Sequence, residues 1–194
     1  MSFRGFGKDI ALFDFESTGF RKNAQEMIID PGEPTQLGVL VLDRQSLEEK
    51  TSYMSDIQAN PAKLEPWVLE NTDITAERLK QAPTPKAVAE KLLDIVQPEK
   101  VFLASWNVYY DRIWLDQLLK ASDHTESVYD YHHLDVWTLA YQYLCAHGYT
   151  QVIRSEATFQ LFGQASRQAH NALDDCRRTA EVLRAVVFDQ GIPS

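Results

Sequence analysis

Five side chains have types and spacings that could do chemistry together: Asp14, Glu16, Asp111, His170 and Asp175. Asp14 and Glu16 stand two apart in a strand-like stretch, so their side chains point to one face. Ile10 and Leu12 share that face, which runs the two acids along an otherwise buried surface. Buried carboxylates are expensive unless protonation, a basic partner or a metal compensates them. An isolated D-x-E is common, however, and more often marks a strand end where both acids reach solvent. Asp111 strengthens the functional reading. It falls with Trp114, Leu115 and Leu118 at i, i+3, i+4 and i+7, on the core-facing stripe of a helix. A place at the helix N-terminus, favoured by the macrodipole, explains the same acid equally well. Arg112 and Asp116, four apart, read as a solvated pair.

The last helical stretch separates two adjacent aspartates. Leu173, Cys176, Ala180, Leu183 and Val187 form its apolar stripe. Asp174 falls with Arg178, Glu181 and Ala185 on the outer face, where Asp174 and Arg178 can pair. Asp175 falls with Thr179, Val182 and Val186 beside the core, so it is the acid aimed inward. His170 lies just ahead of this helix, with Asn171 a candidate N-cap, and can hang over the same end. A lone loop histidine is as readily structural. His132 and His133 straddle the two faces of a short strand, and His124 and His147 lie in polar connections. Neither they nor the cysteines have zinc-ligand spacing. No glycine-rich phosphate loop and no nucleophile elbow occurs.

These residues need a scaffold, and the hydrophobic pattern outlines one. Asp9 to Glu16 is apolar on both faces and reads as a central strand. Arg21 to Pro34 is a polar loop with a Pro31-Gly32 turn signal. Gln36 to Leu42 and Thr51 to Met54 follow as strands, which predicts an antiparallel meander. Pro61 to Glu70 has helical spacing, Thr75 to Lys80 is a short helix, and Pro85 to Val96 is a clearer one. Val101 to Ser105 is a buried strand, Asn107 to Leu119 a helix and Tyr129 to Leu134 a strand. Asp135 caps a helix reaching Cys145. Ser155 caps a short one ending at Gly163, and the last runs from Ala172 to Val187. The expected architecture is α/β: a mixed five-stranded sheet, three antiparallel strands and then alternating helix and strand, flanked by helices.

The 194 residues fit a single domain, 1–194, with 44% hydrophobic and 24% charged residues. No apolar run approaches the roughly 18 to 20 residues that cross a bilayer, so no membrane partner is expected. The first eight residues lack the apolar core of a signal peptide. Two cysteines, Cys145 and Cys176, do not make a disulfide framework, and a cytoplasmic location is the expectation. A net charge of −9 argues against coating nucleic acid by bulk electrostatics. It leaves room for an enzyme whose gathered acids hold cations.

The segments Phe13 to Phe20 (FDFESTGF), Asn107 to Asp111 (NVYYD) and His170 to Asp175 (HNALDD) resemble the three motifs of the DEDDh, or DnaQ-like, 3′–5′ exonuclease superfamily. They occur in that family's order and with its typical separations. QLGVLVLD, DITAERLKQAPT and LDVWTLA are also similar to its intervening text, so the resemblance spans Ile10 to Val187. It implies a ribonuclease H-like fold and a metal-dependent 3′–5′ exonuclease that hydrolyses single-stranded DNA or RNA from the 3′ end, releasing nucleoside 5′-monophosphates. Asp14, Glu16, Asp111 and Asp175 would be the metal-site acids for two divalent cations, Mg2+ or Mn2+, and His170 the general base. Thr18 and its neighbours would receive the terminal nucleotide, Phe20 would stack on a base or simply pack, and Asn107 would support the second motif. Asn71 and Thr72 stand where similar enzymes wedge the last two bases. The chain departs from the family pattern at three places. Trp106 replaces a frequent histidine, Asn71 a frequent apolar residue and Gln36 a frequent acid.

Two cations about 4 Å apart suit hydrolysis of a phosphodiester, and hard oxygen ligands suit magnesium or manganese. On this expectation Asp14 bridges both ions, Glu16 and Asp175 complete the nucleophile side, and Asp111 holds the leaving-group ion. Histidine titrates near neutral pH and suits proton removal from water. Tyr109, Tyr110 and Phe20 are candidates for base stacking, and Arg21, Lys22 and Arg167 for phosphates, with plain solvation the commoner role for each cation. A proofreading subunit of a DNA polymerase is the alternative within the class. The end at Ser194, without a long tail, makes a standalone enzyme the expectation. A non-catalytic nucleic-acid-binding scaffold is the alternative from another class. A homodimer is common among similar enzymes, but no interface stripe is legible.

Overall fold

A computed structural model describes residues 4–25, 28–96, 101–124, 127–149, 151, 154–166 and 170–191. The chain runs through β1 (Ile10–Ser17), a small hairpin of β2 (Arg21–Lys22) and β3 (Ile28–Asp30), then β4 (Pro34–Leu42) and β5 (Glu49–Asp56). Three helices follow, α1 (Pro66–Asn71), α2 (Ala76–Gln81) and α3 (Pro85–Val96). The rest alternates: β6 (Val101–Ser105), α4 (Val108–Ala121), β7 (Tyr129–Asp135), α5 (Val136–Ala146), α6 (Ser155–Leu161) and α7 (Ala172–Val187).

The main sheet has the order β5-β4-β1-β6-β7. β1 is antiparallel to β4, β4 is antiparallel to β5, and β6 runs parallel to both β1 and β7. This is the expected mixed five-stranded sheet. β1 is central, which explains its lack of a polar face. Ala11, Phe13 and Phe15 enter a core with α3 and α4, through residues such as Leu92 and Leu115. Ile10 and Leu12 enter the opposite core with α5, α6 and α7, through Leu144, Phe159 and Leu183. Alternation therefore sends Asp14 and Glu16 to the α7 face.

The chain leaves β1 toward β4 and β5 on one side, then returns to build β6 and β7 on the other. Such a switch point opens a crevice at the carboxyl ends of the strands. Here β6 pairs with β1 only from Ile10 to Leu12. Phe13 to Ser17 continue past it, still paired with β4 on the other side.

Several boundaries differ from expectation. The polar loop after β1 contains the β2–β3 hairpin. β5 is longer than Thr51–Met54, because pairing along the length of β4 extends it. The Pro61–Glu70 stretch is two pieces, a 3-10 turn at Pro61–Lys63 and then α1, each with proline in its first turn. Ser155 is the first residue of α6 rather than its cap, and the capping residue Arg154 makes no side-chain cap bond.

Asp135 caps α5 as expected, accepting from the Thr138 amide at 2.8 Å. Its other oxygen accepts from the Val108 amide at 3.2 Å. One side chain thus serves two helix starts, while Asn107 makes no side-chain cap bond of its own. Replacing Asp135 with alanine should lower stability by about 1–2 kcal/mol. Urea unfolding measures this, and an unchanged midpoint would contradict it.

Candidate active site

Three donor atoms meet at the open end of β1. Glu16, His170 and Asp175 each present a ligand atom, and these lie within 4.8 Å of one another. His170 Nδ1 is 3.5 Å from Glu16 Oε1 and 3.9 Å from Asp175 Oδ2. Glu16 and Asp175 are buried, at 8% and 7% exposure, so neither is an ordinary surface acid. Asp14 joins them in lining a cavity of about 170 Å3, together with Trp106 and Thr179. Asp14, Glu16 and Asp175 offer carboxylate oxygens that fit a hard divalent cation, with His170 and Arg178 the basic groups beside them.

The acids from β1 and α7 meet because α7 lies almost on the strand backbone. Gly38 of β4 pairs with Asp14, and a Cβ there would lie 2.4–2.5 Å from backbone atoms of Ala172 and Leu173. Gln36 fastens the same contact. Its Oε1 accepts from the Ala172 amide at 2.9 Å, and its Nε2 donates to Asp56 at 3.0 Å. Asn171 caps α7 by accepting from the Asp174 amide at 3.2 Å. Behind this junction, burial and the charges of Asp14, Asp111 and Asp175 push the Cys176 thiol well above its usual pKa. It is an inert core group.

Asp111 reaches the same end from the first turn of α4. Its Oδ1 accepts the Phe15 amide at 3.0 Å, and its Oδ2 accepts from the Ser105 hydroxyl at 2.5 Å. Burial pushes its pKa up from 3.8 to about 7, against the lowering effect of those donors and with the Glu16 charge adding to the rise. The sign follows. The unfolded chain loses this proton near pH 4 and the folded chain near pH 7, so the group's contribution to stability declines as pH rises through that window. A cation at the site favours the ionised form. Magnesium should therefore raise the melting temperature more at about pH 8 than at about pH 5. Equal shifts in a thermal melt would contradict this.

A larger cavity, about 450 Å3, shares Phe15, Glu16 and His170 with the acid site. Phe20, Trp67 and Trp114 supply its aromatic walls. Phe20 packs on Tyr110 and Trp114, with ring centroids 5.0 and 5.1 Å apart, and still faces the cavity. Trp67 is 54% exposed and sets its ring against that of His170, 5.2 Å between centroids. Asn71 and Thr72 do not line this space. Their side chains bond back into α1, at Trp67 O and Val68 O, and their backbone holds the histidine: the His170 amide donates to Asn71 O at 3.1 Å. Thr18 is buried, and its hydroxyl accepts from the Glu33 amide at 3.0 Å. Asn107 is exposed at the head of α4, outside these cavities. Arg21 is paired with Asp30, and Arg167 lies outside the described residues.

This arrangement, with acids from both ends of the sequence closing on one crevice, agrees with what the chain as a whole matches. A sequence profile named RNase_T, described as exonuclease, matches residues 12–183. The chain belongs to this exonuclease family. Among solved structures it is similar to the nuclease domain of 3′hExo, a DEDDh family member bound to rAMP. The identity is 18% and the TM-score 0.72, over 98% of each chain. It is similar to cell-death related nuclease 4 at 16% identity and TM-score 0.76, over 99% of this chain and 67% of that one. It also matches an E. coli ExoI–ssDNA complex at 15% identity and TM-score 0.70, over 94% of this chain and 42% of that one. The likeness confirms the ribonuclease H-like fold. A comparison with curated protein sequences returns no match.

In the exonuclease, the departures from the family pattern have local explanations. Trp106 stacks on Phe159 with centroids 4.1 Å apart and walls the acid site on the α6 side. Gln36 both accepts and donates between α7 and β5, a task no carboxylate can do. Arg178 corrects a sequence expectation: it does not pair with Asp174 on an outer face. Asp174 meets Arg177 at 3.5 Å. Arg178 is 12% exposed, 3.2 Å from Glu156 and 3.6 Å from Asp175, over the Phe159 ring. The helix periodicity could not show that α6 covers this face of α7. Trp67, Ser105 and Arg178 are the site residues that sequence reasoning missed. None sits in a distinctive local pattern.

Proposed function

We propose that this exonuclease is metal-dependent and removes nucleoside 5′-monophosphates from the 3′ ends of single-stranded nucleic acid. The observation that carries the proposal is the shared wall. Glu16 and His170 border both the acid cluster and the aromatic cavity. A base held by Phe20, Trp67 and Trp114 therefore places its own phosphate at the carboxylates. A similar structure described as an ExoI–ssDNA complex, and one described by 3′-end specific recognition of a histone mRNA stem-loop, support a strand-end substrate.

In this reading Asp14, Glu16, Asp111 and Asp175 hold two divalent cations, Mg2+ or Mn2+. When bound, such cations polarise a water and stabilise charge on phosphorus and on the leaving oxygen. His170, beside Glu16 and Asp175, takes the proton of the attacking water. Trp67 sets its ring edge against the imidazole, and Phe20, backed by the buried Trp114, stacks with the terminal base without reading its sequence. The space suits an unpaired end, since a paired base would have to leave its stack to enter.

The test is direct. Protein is incubated with magnesium and 5′-labelled DNA and RNA oligomers, single- and double-stranded. A descending ladder, mononucleotide products and abolition by chelator are expected, with the preferred polymer identified by the faster ladder. A ladder shortened from the 5′ end, seen with 3′-labelled strands, would overturn the polarity, and chelator-resistant cleavage would overturn the metal requirement.

A further inference from the structure

Asp111 reaches the crevice from α4, whereas the other acids stand on β1 and α7, so its orientation must be set locally. Ser105, the last residue of β6, is fully buried, and its hydroxyl donates to Asp111 Oδ2 at 2.5 Å. The hydroxyl cannot turn freely, because it accepts the Asn107 amide at 3.0 Å. That amide belongs to the residue leading into α4, the helix that carries Asp111. Asp111 Oδ1 is fixed independently by the Phe15 amide at 3.0 Å, between the two acids of β1. Two donors from two strands therefore hold the carboxylate plane.

We propose that Ser105 is a positioning residue for Asp111, clamping its carboxylate at the angle that serves the cation site. The inference rests on the reading of Asp111 as a cation ligand. Without the serine, Oδ2 loses its hydroxyl donor and the carboxylate keeps only backbone donors. The serine hydroxyl ties Oδ2 to β6 and so fixes the direction each oxygen can offer a cation or its water. Supporting bonds of this kind commonly change metal affinity 10- to 100-fold when removed.

The experiment measures Mn2+ affinity by EPR of the free ion, beside magnesium-dependent turnover, in wild type, Ser105→Ala, Asp111→Ala and the double variant. Ser105→Ala should weaken Mn2+ binding about tenfold and lower kcat more than it changes KM. The same change in the Asp111→Ala background should have no effect on affinity, because the group it positions is gone. Circular dichroism melts separate this from simple destabilisation. Ser105→Thr keeps the hydroxyl and should retain affinity even if its extra methyl lowers the melting temperature. Unchanged Mn2+ affinity in Ser105→Ala overturns the proposal, as does an equal loss in both backgrounds. If Asp111→Ala binds Mn2+ as tightly as wild type, the reading of Asp111 fails, a result distinct from failure of the serine.

Discussion

Replacing His170 with alanine should lower turnover by about 10²- to 10⁴-fold while the protein stays folded. The reason lies in how the residue is attached. Its backbone amide donates to Asn71 O, and its backbone bridges Thr72, so an alanine keeps both ties. Only the imidazole leaves, and with it the nitrogen 3.5 Å from Glu16 that the proposed function makes the proton acceptor. The decisive readout is single-turnover release of mononucleotide beside Mn2+ affinity. Slow chemistry with affinity retained identifies a base. Affinity lost in step with turnover would make the histidine a ligand instead, and unchanged turnover would remove it from the chemistry.

Gly38→Ala should disable the enzyme without touching a reacting group. The new methyl would lie 2.4 Å from the Ala172 carbonyl carbon and 2.5 Å from the Leu173 nitrogen. Both are backbone atoms, so no side chain can step aside, and the start of α7 must lift from β4. Asp175 is in that first turn and moves with it, and the bond from Ala172 to Gln36 stretches. Overpacking of this kind commonly costs about 1–3 kcal/mol, and misplacing a reacting constellation by about 1 Å costs on the order of 10²-fold in rate. Urea unfolding and turnover would both fall. Gly7→Ala is the control, since nothing lies within 4 Å of a Cβ there. Wild-type activity in Gly38→Ala would mean that α7 need not lie so close.

The sheet and the faces on which the four acids stand were legible because they follow rules that act over short distances. Alternation along β1 sends Asp14 and Glu16 to one face, and helical periodicity turns Asp111 and Asp175 inward. What escaped depends on neighbours distant in sequence. Arg178 lies on the outer face of α7 until α6 packs over it. Trp67 was hidden by a boundary. The helical spacing of Pro61 to Glu70 does not show the break before Glu65, after which α1 brings Trp67 to the cavity. The resemblance points to Asn71 and Thr72 as the base wedge, and they hold His170 through their backbone instead. Ser105 reads in sequence as the small end of a buried strand, and its hydroxyl matters only once α4 has folded back beside it.

The overhang of β1 beyond β6 gives the protein a reporter that needs no label on the substrate. Along that free edge the Phe15 amide has no strand to bond, and its proton points at Asp111. Whatever draws charge from that carboxylate must alter the amide's nitrogen shift and its rate of exchange with solvent deuterium. A single backbone resonance in the middle of the sheet thus registers the filling of the crevice.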